Sequence, residues 1–206
     1  MKKDLALATR RAGFQATPAA YMLVLKLPPA LLEEIHSIKK DFFKKYGPAQ
    51  GATRTQLTLV KFNQYEFMEP RLLPRINTIA GDLPSFILDL QGFGSLPTHS
   101  IFIHVLGKVP ILHTIQALRK MRQLFYINED TKPWFITEPT VMIAQKLLPG
   151  QYEKAWLHFN HQSFSGRFIA DQLCLLKRRE NGDAWKVVAT FPFEQKKISG
   201  VQEKLF

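Results

Sequence analysis

The apolar positions change period along this chain. Residues 21–27 are apolar apart from Lys26, and a continuous run of this length predicts a strand buried on both faces. Pro28 and Pro29 end it and open a helix, because proline suits a first helical turn. Leu31, Ile35, Ile38 and Phe42 then recur at helical spacing, with Lys39, Lys40, Lys44 and Lys45 toward solvent. Gly47 stops that helix. After the loop 48–51 comes Thr55-Gln56-Leu57-Thr58-Leu59-Val60-Lys61-Phe62, which is rich in strand-forming residues. Strict alternation puts Arg54, Gln56, Thr58 and Val60 on one face, and Leu57, Leu59 and Lys61 on the other.

Leu72, Ile76 and Ile79 predict a helix begun near Pro70 and ended by Gly81. Phe86, Leu88 and Leu90 alternate as a strand, with Gly92, Gly94 and Pro97 read as the connection to a strand over 100–106. In that strand Phe102, His104 and Leu106 share a face. A helix follows from Val109, with Leu112, Ile115, Leu118, Met121 and Phe125 as its buried stripe. Residues 139–147 echo 55–62: Thr140, Met142, Ala144 and Lys146 alternate with Val141, Ile143 and Gln145. A helix opened by Pro149-Gly150 turns Tyr152, Ala155, Trp156 and Phe159 inward. Two strands, 173–177 and 185–193, flank Asn181-Gly182, a strong hairpin turn signal. In the second of them Trp185, Val187, Ala189, Phe191 and Phe193 alternate with Lys186 and Thr190.

The expected organisation is a basic tail over 1–19, one ordered unit over 20–193, and a polar tail over 194–206. The two similar strands divide the ordered unit into lobes of about 20–107 and 108–193. A length of 206 residues is enough to bury a sizeable core. The net charge of +11 points to acidic partners, nucleic acid or nucleotides first. Cys174 is the one cysteine, which excludes an internal disulfide or a cysteine zinc site. Its apolar surroundings predict a buried, inert thiol. No apolar run is long enough for a membrane helix, and Leu5-Ala6-Leu7-Ala8 is too short for a signal-peptide core before Arg10 and Arg11. A cytoplasmic protein is expected.

Gln56-Leu57-Thr58-Leu59 with the trailing Phe62, and Pro139-Thr140-Val141-Met142-Ile143-Ala144, stand 84 residues apart by their positions 56 and 140. Together with Phe164-Ser165-Gly166-Arg167-Phe168, the run 173–177, Trp185 and Phe191-Pro192-Phe193, they resemble the LigT-like two-histidine phosphoesterases, the 2'-5' RNA ligase family. The resemblance covers about residues 20–193. It implies an α+β, bilobal fold: two pseudo-symmetric lobes, mostly antiparallel sheets around a central cleft, and helices outside. The family carries His-x-Thr/Ser twice, one copy on a strand of each lobe. One histidine takes a proton from the attacking hydroxyl and the other protonates the leaving oxygen, work that suits a group titrating near neutrality.

The departures bear on function. Gln56 and Thr140 stand at the two histidine positions, Met142 at the second hydroxyl position, and Gln145 where the motif often ends in arginine. Gln does not titrate, a Thr hydroxyl is too weak an acid, and Met donates no hydrogen bond. Of the four motif residues only Thr58 remains. His36, His113, His158 and His161 fall on or beside predicted helices and read as surface residues, and His99 begins a strand. His104 reads as a partly buried, satisfied histidine. No Gly-rich phosphate loop, serine elbow or metal-binding spacing is present.

The residues expected to hold a ligand are Arg54, Gln56, Thr58, Thr140, Met142 and Lys146, with no catalytic residue, metal or cofactor assigned. The resemblance then implies a catalytically degenerate relative that binds RNA, a nucleotide or another phosphorylated small molecule. It is expected to be a monomer with no membrane partner. Two alternatives stay open: an active phosphoesterase or ligase using substitute residues, and a protein-interaction module with an empty cleft.

Overall fold

The computed structural model describes residues 17–49, 54–179 and 183–194. The tails over 1–16 and 195–206, the second half of the loop 48–51 and the Asn181-Gly182 turn lie outside the described residues.

Among the described residues nine strands form two sheets. β1 (Pro18–Leu25), β2 (Leu57–Tyr65), β5 (Trp134–Phe135), β8 (Gln172–Arg178) and β9 (Lys186–Pro192) make sheet one, in the order β5-β2-β1-β8-β9. β3 (Phe86–Leu96), β4 (Ser100–Leu106), β6 (Thr140–Gln145) and β7 (Ser165–Ala170) make sheet two, in the order β6-β4-β3-β7. The pairings are antiparallel. Helices α1 (Pro29–Tyr46), α2 (Glu69–Gly81), α3 (Val109–Arg119) and α4 (Pro149–Phe159) cover the outer faces. This is the expected α+β, bilobal fold.

The two sheets do not follow the expected halves 20–107 and 108–193, because each draws strands from both. The reason lies in β1. Its residues Tyr21 to Leu25 are buried, so it needs a neighbour on each edge. β2 supplies one edge and β8, from the far end of the chain, supplies the other. Tyr21, Leu23 and Leu25 join the main core, while Met22 and Val24 pack with Cys174, Leu176 and Trp185 on the other face.

Other boundaries moved for local reasons. β3 does not stop at Leu90 but runs to Leu96 through the glycines read as a connection. A bulge between Leu90 and Phe93 absorbs the extra residues, and Gly92 takes the left-handed φ of 65° that the bend requires. α3 ends at Arg119, and a 3-10 turn, Arg122–Phe125, carries Phe125 inward. Ile111 and Thr114, not Leu112, complete its buried face, and Leu112 is exposed. A bulge between Leu175 and Leu176 on the β8–β9 pairing turns Val187 out to solvent, against the expected alternation. The sequence pattern predicts neither β5 nor β7.

Candidate ligand-binding cleft

A cleft of about 920 Å³ lies between the inner faces of the sheets. Sheet one offers Gln56, Thr58, Lys61 and Asn63 from β2 and its lead-in, and sheet two offers Phe102, His104, Thr140, Met142 and Gln145. Gln56, Thr58, Thr140 and Met142 therefore meet in one cavity. Their alternates Leu57, Leu59, Val141 and Ile143 are buried beneath them.

Both motif strands break strict alternation at matching places. In β2, Val60 pairs with Leu23 and Thr58 with Val24, so Leu59 is the extra residue of a bulge. In β6, Ala144 pairs with Ile101 and Met142 with Phe102, so Ile143 is the extra residue. Beyond each bulge the faces exchange. Val60 and Ala144, expected in the cleft, are buried at 0% and 1% exposure. Lys61 and Gln145, expected beneath, line the cleft instead. Each stands five residues beyond Gln56 or Thr140, so the motif's own length was the signal that pointed to Lys61.

The same shift removes Lys146 from the cleft lining. It follows β6 in a turn with a left-handed φ of 54°. Arg54 does line the cleft, ahead of the strand rather than on it, and its Nη1 donates to the Trp185 carbonyl at 3.2 Å. The Gln56 amide donates to the Met22 Sδ at 3.6 Å, a bond to a weak acceptor.

Among the described residues five basic side chains line the cleft, Arg54, Lys61, Lys108, Lys132 and Arg178, against one carboxylate, Glu138. Lys108 reaches Glu138 at 2.6 Å, and the Arg178 guanidinium lies 4.8 Å from the Trp185 ring centre. No ion pair engages Lys61 among the described residues. His104 is exposed in the cleft rather than partly buried as expected, edge-on to Phe102 at 5.2 Å between ring centres. His36, His99, His113, His158 and His161 are exposed on the surface and do not line this cleft. Cys174 is buried, and burial pushes its thiol pKa up, away from reactivity. Among the described residues no group of three or more His, Cys, Asp or Glu is placed to hold a metal ion. Among them, too, no helix is long and apolar enough to cross a membrane.

No protein-family model matches the sequence, and a search of curated proteins finds no match. Solved structures do match. Escherichia coli LigT complexed with 3'-AMP aligns over 86% of this chain and 99% of its own, with 12% identity and a TM-score of 0.61. TT0787 of Thermus thermophilus aligns over the same shares with 14% identity and a TM-score of 0.56. A structure described as a phosphoesterase aligns over those shares with 11% identity and a TM-score of 0.59. At such identities the likeness speaks for architecture, and on that ground the chain has a bilobal LigT-like fold.

Proposed function

We propose that this protein binds a nucleotide, RNA or another phosphorylated ligand in its cleft without cleaving it. One observation carries the reading: among the described residues the cleft gathers five basic side chains together with Gln56 and Thr140, the two residues that the resemblance sets at the histidine positions and that cannot transfer a proton as imidazole does. Cations in a concave site hold phosphate through charge-assisted hydrogen bonds. Arg54, Gln56, Thr58 and Lys61 from one side, and Thr140 from the other, form the proposed binding set. Met142 and Phe102 give the sheet-two wall an apolar stretch, a surface suited to a base or ribose face. LigT of the same fold has been crystallised with 3'-AMP, NADP+ and ATP, which supports a phosphorylated ligand here.

The test is calorimetry with 3'-AMP and ATP, alongside a turnover assay on a 2',3'-cyclic nucleotide. Binding that weakens with added salt and with Arg54→Ala, and no turnover, is the expected result. Turnover at rates ordinary for enzymes overturns it. So does the absence of binding at low salt, which leaves the cleft of an interaction module.

One observation favours the enzyme alternative: His104 stands in the cleft directly opposite Thr140 in the strand register. In that reading the proton carrier has moved one strand over, and His104→Ala abolishes any turnover found.

A further inference from the structure

A second basic concavity, of about 550 Å³, opens beside the cleft where α3 gives way to the 3-10 turns. Among the described residues its cations are Arg119, Lys120, Arg122 and Lys132, with Tyr126 on its wall and Glu129 as an acid. Lys132 lines both this concavity and the main cleft, so the two adjoin at that side chain. The Arg119 guanidinium lies 5.2 Å from the Phe135 ring centre, a contact that orients it without neutralising it as a carboxylate would. Glu129 is paired with Lys132 at 2.7 Å, both side chains more than half exposed. An exposed pair of that kind contributes little and exchanges readily for a phosphate. Two residues beyond Lys132, Trp134 lines the main cleft with 70% of its surface exposed.

Cations leading out of a cleft past an exposed indole match what a single-stranded nucleic acid requires. The cations follow the phosphates, and the ring stacks a base without reading its identity. A mononucleotide has no use for the outer concavity, because its phosphates fit within the first. We propose that Arg119, Lys120, Arg122 and Lys132 form a second phosphate-binding site, so that the ligand is an oligonucleotide strand running from the cleft past Trp134. This rests on the cleft reading above and extends it to a ligand class.

The experiment measures binding of 3'-AMP and of single-stranded oligoadenylates of about two to sixteen nucleotides, a series that spans the site sizes of about four to sixteen found in single-strand binders. The unaltered protein is compared with Lys120→Ala/Arg122→Ala, both positions being exposed, and with Trp134→Ala. Affinity of the unaltered protein should rise with length and then level off. The double variant should lose about tenfold for the longest strand, and its salt slope should fall by about 1.4, at about 0.7 per phosphate contact for single strands. Its affinity for 3'-AMP should not change, and Trp134→Ala should also lose the gain from length. The proposal is overturned if strand length brings no gain, if the double variant binds the longest strand as the unaltered protein does, or if it weakens 3'-AMP equally. Strand binding that depends on Lys120 and Arg122 without any 3'-AMP binding would overturn the cleft reading and leave the outer site standing. No binding of either ligand ends both.

Discussion

His104 and Thr140 are direct cross-strand partners of β4 and β6, and both line the cleft. Neighbouring strands lie about 4.8 Å apart, so this imidazole is displaced sideways from Thr140, the position that the proposed reading gives to a motif histidine. Gln56, on the other sheet, offers no second titrating group. One displaced base without a matching acid is a poor arrangement for in-line phosphoester chemistry, which needs both.

The unaltered protein is therefore expected not to hydrolyse 2',3'-cyclic phosphates. Installing Gln56→His and Thr140→His together, with Met142→Thr, should raise turnover by about a hundred- to ten-thousandfold, the range for a positioned acid or base. The gain should show a bell-shaped pH profile, since one group must be neutral while the other is protonated. Either histidine alone should give little, because groups acting as a unit do not contribute separately. Equal gains from a single substitution would contradict the pairing of these two positions.

Lys61, not Lys146, is expected to contribute to phosphate binding. Lys61→Ala should weaken 3'-AMP by about 1.5 kcal/mol, the low end for a hydrogen bond to a charged group, or about tenfold. Lys146→Gln, which removes a charge outside the cleft lining, should leave affinity within about twofold. A calorimetric series that reversed this order would place the β6 bulge in doubt.

Acid stability should depend on Glu66, which sits in the turn after β2. Its carboxylate accepts from Arg179 Nε at 2.7 Å and lies 3.3 Å from Lys177, tying that turn to β8. The hydrogen bond from Arg179, then those from Lys177, hold its pKa below the usual carboxylate value. The folded state thus takes up its proton at lower pH than the unfolded chain does. The contribution is complete above the unfolded carboxylate pKa and is lost as pH falls through the depressed folded value. Glu66→Gln should lower Tm at neutral pH and flatten the acid limb of a Tm-against-pH curve. An unchanged limb would mean the contact adds nothing.

Gly94→Ala should disturb the cleft from behind. A Cβ there would stand 2.5 Å from His104 Nε2 and 2.6 Å from the Phe102 ring. Both rings must shift, and His104, being exposed, has room to move. The His104 imidazole resonances should move and nucleotide affinity should fall, while Tm drops modestly. Unmoved resonances would mean that the rings do not rest on this glycine.

Periodicity and punctuation made most elements legible. α1 and α2 combine a proline near the first turn with an apolar stripe, and β1 is an uninterrupted apolar run. The meeting of Gln56, Thr58, Thr140 and Met142 was legible because a repeated motif at matching positions implies facing strands. Lys61, Gln145 and Lys146 were misplaced because alternation assumes an unbroken pleat. A bulge at Leu59 or Ile143 leaves no mark in the hydrophobic pattern, since apolar residues stand on both sides of it. His104 was read as partly buried because it shares a face with Phe102 and Leu106, yet that face opens on the cleft. The assignment of strands to sheets was hidden for a different reason: pairing between β1 and β8 spans most of the chain, and no local signal records it.

That pairing orders events during synthesis. The four strands of sheet two, Phe86–Leu96, Ser100–Leu106, Thr140–Gln145 and Ser165–Ala170, all leave the ribosome before β8 does. They can pair with one another while β1 still waits for its second neighbour. The second edge of β1 is covered only when Gln172–Arg178 emerges, so the nascent chain carries one unpaired edge of β1 through most of translation. An open apolar edge invites pairing with other chains, and contacts of such long separation form slowly. Premature termination anywhere before residue 172 would leave β1 permanently open, and such fragments would be taken up by chaperones or aggregate rather than persist as half-proteins.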